Sequence, residues 1–220
     1  MATIKDIAKR AGVSVATVSY VINNTRWVHE DKRRRVMEAI RELNYVPNAV
    51  ARGLRVQRSN AISLIVSDIT NPFYPDIARA CQEAAQARGY TVNIVNTDDS
   101  PDKMSEALKQ LRGGKADGAV ITSALPDNRE EIGQLIREGY PLVLASRKLE
   151  DLGVDSIVAD NRRGAMMAVS HLVGLGHRKI AFVNGVEGSW INKTRTEGYL
   201  EAMKEAGLPV HPEWLTPGQA

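Results

Sequence analysis

Side chains able to do covalent chemistry are few and scattered in this sequence. The four histidines, His29, His171, His177 and His211, share no HExxH or other metal-ligand spacing. His177 lies in GLGHRKIAFV, a helix-to-strand turn where its role is structural. Cys81 is the single cysteine, which rules out an intrachain disulfide and a multi-cysteine metal site and leaves it as small apolar filler on a helix. No GxxxxGK[ST] phosphate loop occurs, and the glycines of LRGGKADG follow a helix instead of opening one. We therefore expect no catalytic residues, no metal, no cofactor and no enzyme activity. What remains is recognition by hydrogen bonds and apolar contacts. VSVATVSYVINN, residues 13–24, concentrates it. Val18, Val21 and Ile22 mark one helical face, and the other carries Ala16, Thr17, Ser19 and Tyr20, all small or hydrogen-bonding and none charged.

The flanking residues define how that helix is held. Thr3 precedes IKDIAKRA, with Asp6 three residues on, a capping-box variant. Ile4, Ile7, Ala8 and Ala11 form a narrow apolar stripe, Gly12 ends the helix, and Ser14 caps a second one from Val15 to about Asn23. Two short helices meeting across a glycine turn form a helix-turn-helix pattern. EDKRRRVMEAIRELNY reads as a third helix with Val36, Ile40 and Leu43 inward. In this arrangement the second helix enters the DNA major groove. Thr17 and Ser19 can donate to phosphates, Val15 and Ala16 can meet a thymine methyl, and Tyr20 can reach a base edge or a phosphate.

Charge distribution points the same way. Residues 1–60 hold 12 Lys and Arg against 5 Asp and Glu, a net of +7, whereas the remainder carries 17 against 21, a net of −4. A basic head on an acidic body suits a nucleic-acid-binding module joined to a second domain. Between them, YVPNAVARGLRVQRSN contains a segment, Asn48 to Leu54, too short to be helical without support from DNA or a partner copy. Leu54 is an apolar side chain among Arg52, Arg55 and Arg58, which fits a wedge between base steps in the minor groove.

TIKDIAKRAGVSVATVSYVIN followed by LNYVPNAVARGLR resembles the headpiece and hinge of the lactose-repressor/galactose-repressor (LacI/GalR) family of transcriptional regulators, nearest to its purine- and ribose-repressor-like members. The resemblance implies a homodimer whose two headpieces bind a palindromic double-stranded operator while paired hinge helices kink its centre. It places base reading on Val15, Ala16 and Tyr20. Phosphate contacts fall on Thr3, Ser14, Thr17, Ser19 and Asn23. The minor-groove wedge falls on Leu54, with Ala51 packed against the partner hinge. Val15 and Ala16 are smaller than the polar pairs often found at those positions.

From residue 61 short apolar runs alternate with amphipathic segments: AISLIVS, helix 74–89, TVNIVNT, helix 101–113, GAVIT, helix 128–139, LVLAS, SIVAD, helix 162–175, KIAFVNG and helix 192–206. Strand–helix alternation with continuously apolar strands implies a parallel sheet covered on both faces. Such sheets bind ligands outside the C-terminal ends of their strands. Those ends carry Ser67, Asp68, Asn71, Phe73 and Tyr74, then Thr97 and Asp98, Thr122 and Ser123, Ser146 and Arg147, and Asp160 and Asn161. Thr97, Asp98, Thr122 and Ser123 equally fit strand ends or helix caps. Polar groups with two aromatics suit a polyhydroxylated or heterocyclic ligand.

The family resemblance extends to this body and implies a periplasmic-binding-protein-like α/β fold with two lobes. NPFY at 71–74, Arg147 and Arg195 resemble the effector set, and Asp160 and Asn192 join them by position. Ser146 replaces the aspartate often found before that arginine, which leaves the effector as a sugar, sugar acid or nucleoside-like molecule. The implied organisation is a headpiece over 1–46, a hinge over 47–58, a first lobe over 59–160 and a partial second lobe over 161–220. Relatives are longer, so a C-terminally truncated chain with an incomplete second lobe is expected. No run is apolar enough to span a bilayer, and Lys5, Asp6, Lys9 and Arg10 interrupt any signal pattern, so a cytoplasmic protein without membrane association is expected. Two other readings stay open: a DNA-binding regulator whose body senses a partner protein, and a sugar-binding protein with a helical appendage.

Overall fold

A computed structural model describes residues 2–45, 58–216 and 218. The expectations for Ala51, Leu54 and the greater part of the hinge fall on residues outside these. The chain divides into two compact units between residues 56 and 57.

The N-terminal unit contains α1 (Ile4–Ala11), α2 (Val15–Asn23) and α3 (Glu30–Glu42). The capping box at α1 is complete. Asp6 N donates to Thr3 Oγ1 at 3.3 Å, and Thr3 N donates back to Asp6 Oδ2 at 2.8 Å. Gly12 closes the helix in the left-handed region at φ 64°, where a side chain would be strained. Two residues later Ser14 Oγ accepts from Thr17 N at 3.1 Å and starts α2. Ile7, Ala8, Ala11, Val18, Val21, Val36 and Ala39 form the core. Ile40 and Tyr45 pack half-buried against this core, whereas Leu43, the residue that follows the helix end at Glu42, is exposed.

The second unit holds a five-stranded parallel sheet in the order β2-β1-β3-β4-β5, from β1 (Ala61–Val66), β2 (Thr91–Asn96), β3 (Gly118–Ile121), β4 (Leu142–Ala145) and β5 (Asp155–Ile157). Its helices are α4 (Phe73–Gln86), α5 (Pro101–Arg112) and α6 (Arg129–Arg137). The two faces of β1 diverge as a strand requires. Ala61 and Ile65 pack with Met104, Leu108, Leu111, Ile132 and Leu135, while Leu64 and Val66 pack with Tyr74 and Ala78. Helices therefore cover both faces. Cys81 is half-buried against the second cluster.

Beyond the sheet come α7 (Asn161–Gly174), β6 (Phe182–Val183), α8 (Trp190–Glu205) and β7 (Leu215–Thr216). The expected strand at KIAFVNG shrinks to two residues, because its only described partner is β7, a strand the sequence pattern did not announce. Val169, Ile180, Tyr199, Ala202 and Met203 form a separate core. Tyr199 is fully buried, and its hydroxyl donates to Ile180 O at 2.8 Å. At Gly198 a Cβ would lie 2.2 Å from Arg162 O, so α7 and α8 approach too closely there for any other residue. Among the described residues no helix is long and apolar enough to cross a membrane.

Asp117 fixes the entry to the sheet. Its carboxylate accepts from Ser59 N at 2.6 Å, Ser59 Oγ at 2.8 Å and Asn60 N at 3.0 Å. Burial alone would push this carboxyl up. The hydrogen bonds from Ser59 and Asn60 and the charge of Arg58 outweigh it and hold the pKa below the usual carboxylate value. A depressed folded pKa contributes stability above the unfolded carboxyl's pKa and loses it as pH falls through the folded value. Asp117→Ala should therefore cost roughly 1–3 kcal/mol at neutral pH. In urea unfolding followed against pH, its deficit should shrink toward zero below the acid limb.

Candidate DNA-reading face and effector cleft

The exposed face of α2 is built from its N-terminal turn. Val15 is 41% exposed, Ala16 is exposed, and Thr17 and Tyr20 are half-buried. No acidic residue stands in the first turn and no basic one in the last. Thr17 Oγ1 lies 2.9 Å from Ser14 Oγ, so the two hydroxyls form one cluster at the helix start. Ser19 differs from its neighbours. It is 8% exposed, and the Asn23 amide donates to its carbonyl at 2.9 Å and its hydroxyl at 3.3 Å. Position 19 lies on the same turn as the buried Val18, which turns it inward, and its hydroxyl accepts from Asn23. Asn23 holds it there. Thr3 likewise has its hydroxyl on Asp6 Oδ2 at 2.7 Å. The Arg26 guanidinium lies over the Tyr20 ring at 5.2 Å.

In the body, the strand-end residues separate into structural and available groups. Thr97 Oγ1 donates to Val66 O and Thr122 Oγ1 to Ile65 O, each at 3.0 Å and buried. Asp98 pairs with Lys103 and Asn96, and hydrogen bonds from both hold its carboxyl below the usual value. Thr97 and Thr122 thus tie strand ends together. Tyr74 is 5% exposed, with its hydroxyl 2.6 Å from Ser67 Oγ, whereas Phe73 is 53% exposed and meets Tyr74 edge-on at 5.2 Å. Asn71 Oδ1 accepts from Phe73 N at 3.0 Å. Of the NPFY segment, Phe73 is thus the aromatic free to meet a ligand.

Arg147 is buried, and Asp99 accounts for it. Nη1 and Nη2 donate to Asp99 Oδ1 and Oδ2 at 2.5 and 3.0 Å, with side-chain exposures of 8% and 14%. Asp98, Asp99 and Ser146 all have positive φ, at 50°, 51° and 67°, so both segments of the pair run through left-handed turns. A guanidinium carries five N–H donors, and this pairing leaves others unspent.

A second group lines a groove formed by Val158, Ala159, Asp160, Asn161, Arg162, Trp190 and Thr194. Asp160 caps α7, accepting from Arg163 N at 3.0 Å. Arg195 Nε donates to Asn161 Oδ1 at 2.9 Å, and Asn192 Oδ1 accepts from Gly185 N at 3.3 Å. The structure thus joins Asp160 and Arg195 around one groove through Asn161. Among the described residues no hydrogen bond connects this group with Arg147, Ser146 or the NPFY segment. Sequence reasoning missed Asp99 and Trp190. Asp99 was findable as the residue that follows Thr97 and Asp98 beyond the second strand's end. Trp190 was not, because SW at a helix start carries no ligand signal of its own. Lys148 Nζ sits over the Trp190 ring at 5.2 Å.

Residues 3–48 match the family described as bacterial regulatory proteins, lacI family. Residues 59–219 match the periplasmic binding proteins and sugar binding domain of the LacI family. The chain belongs to the LacI family. It is 37% identical over 218 residues to the HTH-type transcriptional repressor PurR of Actinobacillus pleuropneumoniae, covering 99% of this chain and 65% of that protein. It is also 37% identical over 210 residues to the HTH-type transcriptional regulator DegA of Bacillus subtilis, covering 94% of this chain and 62% of that protein. Among solved structures, the lac repressor dimer bound to operator and the anti-inducer ONPF superposes with a TM-score of 0.81 at 26% identity, covering 99% of this chain and 65% of that one. The chain thus spans about two-thirds, just under, of the curated relatives' length.

Breaking a buried ion pair by removing one partner leaves a charge uncompensated and typically costs 3–5 kcal/mol. Asp99→Ala should lower unfolding stability by about 3 kcal/mol. Adding Arg147→Met to it should recover part of the loss. Equal stabilities for Asp99→Ala and the parent in urea unfolding would show that the pair does not hold Arg147.

Proposed function

We propose that this chain carries the DNA-reading and effector-sensing parts of a cytoplasmic transcriptional repressor that binds a palindromic operator as a homodimer. The observation that carries the reading is α2: a helix capped by Ser14, set off by the left-handed Gly12, with an exposed face free of charge. Such a face suits close approach to base edges. Val15, Ala16 and Tyr20 read bases. Thr3, Ser14, Thr17, Ser19 and Asn23 meet phosphates. Ala51 and Leu54 work at the operator centre, where Leu54 wedges into the minor groove. The kinship with repressors of the same family supports this assignment.

The effector is a sugar, sugar acid or nucleoside-like molecule bound in the cleft of the body. Phe73 supplies an apolar face. Arg147 and Arg195 supply donors, and Asn71, Tyr74, Ser146, Asp160 and Asn192 shape the site. Trp190 adds a second aromatic surface in the groove beside Asp160. Binding shifts the relation of the two lobes and, through the 47–58 hinge, the placement of Leu54. The ligand moves operator affinity only by its differential affinity for the two states.

Selection from a random duplex pool tests this directly. A palindrome with a flexible central step should be enriched, and its affinity should fall steeply with salt as phosphate contacts release counterions. Leu54→Ala should bind that site roughly tenfold or more weakly, about the energy of one lost wedge contact, with unchanged thermal unfolding. No enriched sequence would remove the DNA-reading function from this chain.

A further inference from the structure

We infer that the groove beside Asp160 is an anion-binding subsite, in which Lys148 and Arg195 hold a carboxylate or phosphate group of the effector. The inference rests on the effector-sensing function proposed above and narrows the ligand to an anionic sugar derivative. The basic side chains around the groove are held in two different ways. Arg147, Arg162 and Lys193 each have a carboxylate partner: Asp99 at 2.5 Å, Glu201 at 2.6 Å and Glu150 at 3.7 Å. Lys148 and Arg195 are held by neutral groups. Lys148 Nζ lies 5.2 Å from the centre of the Trp190 ring, and Arg195 Nε donates to the Asn161 amide oxygen at 2.9 Å. Trp190 and Asn161 both line the groove.

A neutral partner fixes where a cation stands without cancelling its charge. An indole face attracts an ammonium through its quadrupole, and an amide oxygen accepts one N–H of a guanidinium. Both cations thus keep their charge for a further partner. Arg195 spends only Nε on Asn161. Its two terminal nitrogens, whose donors suit a carboxylate or phosphate, have no hydrogen-bond partner among the described residues. The acids nearby are already committed. Asp160 accepts from Arg163 N at the start of α7, and Asp99, Glu150 and Glu201 belong to the ion pairs above. Neither α7 nor α8 has an acidic residue in its first turn, and α8 starts at Trp190 behind the neutral cap Ser189. Its N-terminal end therefore adds positive potential where Lys148 stands. A neutral sugar or nucleoside would leave this surplus unanswered, whereas an anionic group meets both cations at once.

The test presents the full chain with a pool of neutral monosaccharides, nucleosides, uronic and aldonic acids and sugar phosphates, and identifies the bound members by saturation-transfer NMR. A sugar acid or a sugar phosphate should be among them, and its identity distinguishes the two sources of negative charge. In calorimetric titrations with that compound, Lys148→Gln and Arg195→Gln should each weaken binding roughly tenfold or more, as the loss of a charged hydrogen-bond donor does. Lys148→Arg should retain most of the affinity, and the parent's affinity should fall as salt rises. Binding of neutral sugars or nucleosides alone would overturn the inference and leave effector sensing in place. Binding of an anionic compound that neither glutamine substitution weakens would overturn it too, by placing the negative charge elsewhere in the body. Binding of no member of the pool would remove both.

Discussion

A helix cannot begin in water or in a core without acceptors for its first N–H groups, and that requirement shapes both units of this chain. Thr3 satisfies it for α1, Ser14 for α2, Ser100 for α5, Asp160 for α7 and Ser189 for α8. The same short oxygen-bearing side chains are the ones a phosphate or a hydroxylated ligand would meet. In the headpiece, Ser14 fixes where α2 starts and then shares its hydroxyl cluster with Thr17. In the body, Asp160 starts α7 at the groove's edge, and Ser189 starts α8 so that Trp190, Thr194 and Arg195 follow within its first turns.

The cleft adds a second constraint, the compensation of a buried cation. Arg147 is reached through a left-handed Ser146 and held by Asp99 in a left-handed turn of its own. Two segments distant in sequence are thereby fixed against each other at the C-terminal edge of the sheet. A guanidinium held this way presents its remaining donors in a set direction, which favours hydroxyls or carbonyls placed to meet them. The groove beside Asp160 works differently. There an amide, Asn161, orients Arg195, and Trp190 provides an apolar wall.

The headpiece was legible because each of its signals is local. A cap, a glycine and a 3.6-residue stripe lie within a dozen residues of one another, and α1 and α2 begin and end where those signals stand. The first parallel strand was legible for a similar reason, since both faces of β1 are buried and the run is apolar apart from Ser63. Pairings between distant segments were not. The short strand at Leu215–Thr216 is defined only by its partner Phe182–Val183. Asp99 looks like one more acidic loop residue until the fold brings Arg147 to it. Ser19 carries a hydroxyl that pattern alone sends outward, whereas the packing of Val18 and the reach of Asn23 turn it in.

The uncharged face of α2 is proposed to determine which sequence is bound. This is tested by selecting duplexes from a random pool with the parent chain and with Ala16→Asn. An asparagine at a major-groove position can bond adenine through both edge atoms. The variant should enrich the same palindrome with one symmetric pair of positions changed toward adenine. Enrichment of an identical site by both proteins would contradict it, because base choice would then lie elsewhere in the molecule.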